Sequence, residues 1–237
     1  MQPELLLLAL APVGILLAYV WLRDKYEKEP WRMLFTALLL GAFSVLPVIV
    51  LESLLMEIGL LFSDMFGVFW HAFVVAAFSE ESFKLLFLLL LVWKSPEFNE
   101  KFDGIVYAVF VSLGFAAVEN VLYVFDYGVE VGFSRAVTAV PGHFLFGVTM
   151  GFYVGLAKFY PEKKKQYLRS ALFYPLAMHG VYDFILMANH PWVLLIFVPF
   201  VIFMWRYGLK KMNQLSNVSI FHTNFKIEEE LLKKNSE

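Results

Sequence analysis

Cysteine is absent from the chain, which excludes disulfides, thiolate metal sites and cysteine nucleophiles and leaves no redox compartment to read from thiols. Charge is scarce too, at 17% of residues with a net −2 at pH 7, so there is no basic face of the kind that binds nucleic acid. Neither a sequence repeat nor a low-complexity tract interrupts the chain. The first apolar run, residues 5–22, lacks the marks of a cleaved signal peptide. Glu4 and no Lys or Arg precede it, and Tyr19-Val20-Trp21 offers no small-residue cleavage site, so it is expected to be retained. What fills the chain is apolar. With 60% hydrophobic residues and a mean hydropathy of +0.67, against about 45–50% apolar residues in a soluble domain, it reads as an all-α, polytopic membrane protein.

Apolar runs of spanning length, about 17–25 residues each, fall at 5–22, 33–55, 65–93, 104–125, 136–159, 168–187 and 192–207. About seven transmembrane helices are therefore expected, in a membrane domain over residues 1–207 with a catalytic core over about 65–188 and a polar cytoplasmic tail over 208–237, where a short helix is expected at 226–234. Lys and Arg accumulate in cytoplasmic loops. They number 4, 2, 5 and 6 in loops one, three and five and the tail counted from Arg206, against 0, 0, 1 and 0 at the N-terminus and in loops two, four and six. This distribution places the N-terminus outside and the C-terminus in the cytoplasm.

The third run contains Glu80, Glu81 and Lys84 where lipid would otherwise be. A charge at the centre of a spanning helix costs roughly 2.5–3.5 kcal/mol, so such groups face a protein interior or a water cavity. The fourth run carries Glu119 and Asn120, the fifth His143, and the sixth His179 and Asp183. Given the orientation above, four helices bring these groups to one level, the middle to outer half of the bilayer. Small residues recur at helical spacing beside them: Gly147, Gly151 and Gly155 follow His143, and Gly104, Ala108, Ser112 and Ala116 precede Asn120. Such stripes let membrane helices approach closely, so the polar groups are expected on packing seams. Ala171 and Pro175 extend the same face of the sixth run, where the proline removes one backbone hydrogen bond.

Charge sharpens the expectation. Glu80 precedes Lys84 by four residues, the favourable order for a helical ion pair, but Lys84 alone faces Glu80, Glu81, Glu119 and Asp183. A dry interior does not hold three excess anions, so protonated carboxyls, protonated histidines or a bound divalent cation are implied. Asn120 reads as an interhelical hydrogen bond, Asp103 as a helix cap, and Arg135 as a snorkelling side chain or a contact for an arriving substrate. His71, His190 and His222 receive no role. Two chemistries suit the cluster. Carboxylate and histidine, or a metal held by both, can activate water against a peptide carbonyl; alternatively the same groups can relay protons or bind a cation in a transporter.

Glu80-Glu81-Ser82-Phe83-Lys84 resembles the EExxK signature of the PrsW-type intramembrane proteases, and Glu119-Asn120-Val121-Leu122-Tyr123 their ENxxY element. His143-Phe144-Leu145-Phe146 and His179-Gly180-Val181-Tyr182-Asp183 resemble two later elements, and Asp103-Gly104-Ile105-Val106-Tyr107 is similar to the family as well. The resemblance implies a multi-pass protease of a prokaryotic cytoplasmic membrane that makes the first, outer-side cut in a single-pass, membrane-anchored anti-sigma factor. The wider group is similar to CAAX prenyl proteases. That likeness implies Glu80 or Glu81 with His143 as the water-activating pair and His179 with Asp183 as a second, oxyanion-binding pair, supported by Lys84, Glu119 and Asn120. An ionised Asp183 cannot donate a hydrogen bond to an oxyanion, so it must be protonated, orient His179 or bind metal. The cofactor is either none or Zn²⁺, with Glu81, Glu119, His143, His179 and Asp183 as candidate ligands.

Overall fold

The computed structural model describes residues 3–221, which are helical nearly throughout. Helix α1 spans Pro3–Arg23 and α2 Trp31–Gly59. The short α3, Asp64–Phe69, runs on through a π-helical stretch, Trp70–Phe78, into α4, Ser79–Val92. Then come α5 (Asp103–Tyr127), α6 (Val129–Val137), α7 (Ala139–Phe159), a 3₁₀ turn at Pro161–Lys163, α8 (Lys164–Met187) and α9 (Pro191–Ser216). The tail helix expected at 226–234 lies outside the described residues.

Five helical stretches are long and apolar enough to cross a membrane: Pro3–Arg23, Trp31–Gly59, Asp103–Tyr127, Val129–Phe159 and Pro191–Ser216. The two further runs of the seven-helix expectation hold Glu80–Lys84 and His179–Asp183, the charged parts of the molecule. Large apolar side chains such as Leu7, Ile15, Leu54, Leu90, Trp192 and Val198 point outward, more than 60% exposed, as a lipid-facing surface requires.

The centre of the bundle is α5, whose residues from Asp103 through Ala116 are all buried. It can be enclosed because its neighbours meet it backbone to backbone. A Cβ at Gly151 of α7 would collide with the Gly104 carbonyl, and one at Gly41 of α2 with the Val111 carbonyl. Lipid tails are as apolar as Leu, so close backbone approach supplies association energy that burial alone cannot. The small-residue stripe expected along the fourth and fifth runs is thus the α5–α7 seam. Ser112 fastens it at the level of the polar cluster by donating to the His143 carbonyl, 2.7 Å away.

Three local features differ from the sequence expectation. Residues 129–135, read as loop, together with the first two residues of the fifth run form α6. Its Val129, Phe133 and Val137 share one helical face and are exposed, while Gly132 is buried. Asp103 does not cap α5. Its Oδ2 accepts from the Asn99 and Glu100 amides, 2.9 and 2.7 Å away, and so folds the preceding loop. The last helix also continues past residue 207 to Ser216.

Candidate active site

Lys84, fully buried on α4, organises the site. Its ammonium lies 2.9 Å from Glu80 Oε2, 2.9 Å from Glu81 Oε1 and 3.0 Å from His143 Nδ1. One lysine therefore pairs with both carboxylates, where the sequence alone allowed it one, because residues three and four positions earlier fall on the same helical face. The Phe115 ring closes the remaining side, with Nζ 4.2 Å from its centroid.

From this hub two histidine arms extend. His143 on α7 turns Nε2 to Glu119 of α5 at 2.8 Å. His179 on α8 sets Nδ1 3.0 Å from Glu81 and Nε2 3.2 Å from Asp183. Glu80 sits between the arms, 4.0 Å from His143 Nδ1 and 3.9 Å from His179 Nδ1. Phe146 stacks on the His179 ring at 4.7 Å and fixes its plane. The π-helical stretch leads directly into Ser79 and Glu80, and π geometry is a recurrent feature of functional sites. Its Phe73 ring fills the space that a side chain at Gly180 would take, beside His179.

All the residues expected at the site thus meet, with Asn120 in a supporting place: its Nδ2 donates to the Ala9 carbonyl at 2.8 Å, and its Oδ1 accepts from Arg135 Nε at 3.0 Å. Arg135 does not simply snorkel. Carried by α6, it lies 2.9 Å from Glu119 Oε2 and is a second fixed cation in the cluster, alongside Lys84. Sequence reasoning also missed Glu52 of α2, a carboxyl inside the second apolar run that faces Glu80 and Glu119. A lone acid in a spanning run was the available signal.

A cavity of about 370 Å³ opens beside these groups, lined by Glu52, Glu80, Glu119, Arg135, His143, His179 and Asp183 among apolar residues of α2, α5 and α8. Glu81 does not line it; its Oε2 is buried without any hydrogen-bond partner. Two groups of donor atoms lie within 4.8 Å of one another: Glu80, Glu81 and His179, and Glu80, Glu119 and His143. Carboxylate oxygen with imidazole nitrogen is a zinc donor set, and the orphaned Glu81 oxygen is an acceptor that a cation would satisfy. The residues present therefore fit a metal, with Glu80 common to both groups. The second group lies wholly on the cavity wall, where a catalytic metal keeps an open position.

A family described as PrsW family intramembrane metalloprotease matches residues 29–206. "Protease PrsW" of Clostridioides difficile is 38% identical over 92% of this chain and 94% of its own length. The protein of that name in Bacillus subtilis is 39% identical over 89% of this chain and 95% of its own. The one in Geobacillus kaustophilus is 39% identical over 86% and 88%. No solved structure matches the chain.

Proposed function

The chain belongs to the PrsW family of intramembrane metalloproteases and is a multi-pass membrane peptidase; from that premise we propose that it cuts a single-pass membrane protein, of the anti-sigma-factor kind, near the outer face of a prokaryotic cytoplasmic membrane. Seven spans with the N-terminus outside form part of this reading, supported by the loop charges. Tags at Lys164 and in residues 59–64 are then expected on opposite sides of the membrane, and labelling on one side overturns that topology.

The observation that carries the chemistry is the cavity wall that joins Glu80, Glu119, His143 and His179. Of the two adjacent glutamates Glu80 faces the cavity, and Glu81 turns into the protein to hold Lys84 and His179. Glu80 is therefore the general base. It takes a proton from the attacking water and returns it to the amide nitrogen that leaves. The Lys84 ammonium, 2.9 Å away, keeps Glu80 oriented, and His143, held by Glu119 and Arg135, flanks the water. Glu80, Glu119 and His143 would together hold a metal ion, which would polarise the carbonyl and acidify water, and Glu80 would then act as base through the carboxylate oxygen that the ion leaves free.

The test is cleavage of purified single-pass substrates with mapping of the cut and elemental analysis of the same sample. The expected result is a cut near the outer boundary, with near-stoichiometric zinc that a chelator removes together with activity. Cleavage that survives chelation in metal-free protein would leave the Glu80–His143 version without metal. A cut on the cytoplasmic side, or none, overturns the proposal.

A further inference from the structure

Peptide hydrolysis needs a donor for the carbonyl oxygen as it becomes an anion, and the expected second pair offers a poor one, because an ionised Asp183 only accepts. Tyr182, the neighbouring residue on α8, is 4% exposed, its hydroxyl makes no well-formed hydrogen bond although the Thr138 side chain lies beside it, and it lines the same cavity as Glu80, His143 and His179. Among the described residues, Ser79, Ser82 and Glu81 also bury a side-chain oxygen without a partner near the cluster, but none of these lines the cavity.

Among the buried donors at the site most are engaged, although Arg135 Nη2 makes no well-formed hydrogen bond beside its 2.9 Å ion pair with Glu119, and Tyr123, Ser134 and His71 offer exposed or half-buried donors on the same wall. Lys84 reaches Glu80, Glu81 and His143; the two histidines turn both ring nitrogens to protein groups; Arg135 faces Glu119 and Asn120; and Thr138 donates to the Ser134 carbonyl. A buried hydroxyl without a well-formed hydrogen bond carries a desolvation cost that a bound oxyanion would relieve. The Tyr182 ring is held between Phe197, 5.3 Å away, and Phe146, 6.2 Å away, so its direction is fixed before substrate arrives.

Resting on the proteolytic reading above, we propose that the Tyr182 hydroxyl is the oxyanion donor of this peptidase. As the water oxygen bonds to the carbonyl carbon, the C=O π pair moves onto the carbonyl oxygen and the water proton passes to Glu80. Tyr182 donates its hydrogen bond to that oxygen and keeps its proton throughout. When the pair returns, the C–N bond breaks and the amide nitrogen takes the proton from Glu80. His179 and Asp183, on the same helix, then serve to hold Glu81 and the Lys84 hub.

The experiment is Tyr182→Phe in the full chain, assayed on a substrate that the parent cleaves. Loss of an oxyanion donor costs about 10²- to 10³-fold in kcat, with KM near the parent's. A substrate-derived peptidyl phosphinate, tetrahedral and anionic, should bind more weakly by a similar factor, while an uncleavable reduced-amide peptide binds as before. If Tyr182→Phe fails to fold, a ring-fluorinated tyrosine at 182 keeps the packing and lowers the phenol pKa; the alkaline limb of kcat should then move to lower pH. Parental kcat in Tyr182→Phe, equal weakening of both ligands, or an unmoved alkaline limb overturns the assignment and leaves the protease reading intact. A parent that cleaves no single-pass substrate overturns the protease reading itself.

Discussion

Two buried polar clusters in this chain use the same residue types and solve their charge differently. At the cavity, Glu80, Glu81 and Glu119 keep company with Lys84 and Arg135, and the wall is open to an arriving molecule. At the loop end of the bundle, Asp24, Glu29, Glu100 and Asp103 are as deeply buried, and among the described residues no lysine or arginine forms an ion pair with them. Hydroxyls and amides take that place: Tyr107 donates to Glu29, Ser219 to Glu100, the Glu29 amide to Asp24, and the Asn99 and Glu100 amides to Asp103. The Glu29 and Asp103 carboxyls also meet each other. Carboxylates paired with cations beside an open cavity are equipped for proton transfer, whereas carboxyls tied to hydroxyls and backbone fasten loops. Both are buried acid clusters; the compensating partners separate chemistry from architecture.

The sharpest way to break this comparison is to neutralise one acid in each cluster. Glu80→Gln should lower cleavage by about 10²- to 10⁴-fold, the worth of general-base catalysis, in protein that still purifies folded. Glu29→Gln should leave cleavage per folded molecule at the parental rate. Equal losses in the two variants, measured on one substrate, would erase the distinction.

Next in size is the cation. Lys84→Met strands two buried carboxylates and should cost about 3–5 kcal/mol of stability, as removal of one partner from a buried pair does. Adding Glu81→Gln should recover part of it, because Glu81 is the acid furthest from the cavity. Thermal melting in detergent reads both, and a single variant that melts like the parent would remove Lys84 from the hub. Smaller still is Tyr107→Phe, which leaves the Glu29 carboxyl without its hydroxyl. About 1–3 kcal/mol of stability is expected to go, with cleavage per folded molecule unchanged; a matching fall in activity would join the two clusters.

The gentlest probe is pH. Burial pushes the Asp24 carboxyl up to about 6 from 3.8 and the Glu29 carboxyl up to about 7 from 4.5. Through that window the folded state binds more protons than the unfolded chain. The stability these groups contribute is therefore full below the ordinary carboxyl range and is lost as pH rises through about 6 and then about 7. The melting temperature should fall between about pH 4 and pH 7, and Glu29→Gln should flatten the upper part of that slope. A slope unchanged by the substitution would detach it from the loop cluster.

What the sequence determined by itself was that polar groups lie within apolar runs and that small residues recur beside them. Hydropathy and helical spacing are local properties, so Glu80, Glu81, Lys84, Glu119, His143, His179 and Asp183 could be picked out, and the α5–α7 seam anticipated, before any contact was known. Which of them face one another was decided only by the fold. Arg135 was assigned to lipid headgroups or substrate because its partner Glu119 lies sixteen residues earlier, across a bend between helices that read as loop. Glu52 passed unnoticed because its run was long and apolar enough to span without it. Asp103 looked like a cap because carboxylates commonly start helices, yet the preceding loop folds back and presents its own amides first. The turning of Glu80 to the cavity and Glu81 to the interior goes with a π-helical stretch just before them and with His179 of α8, which takes Glu81 at 3.0 Å. Adjacent residues of like chemistry are distinguished by what packs against them, and packing is a property of the assembled bundle.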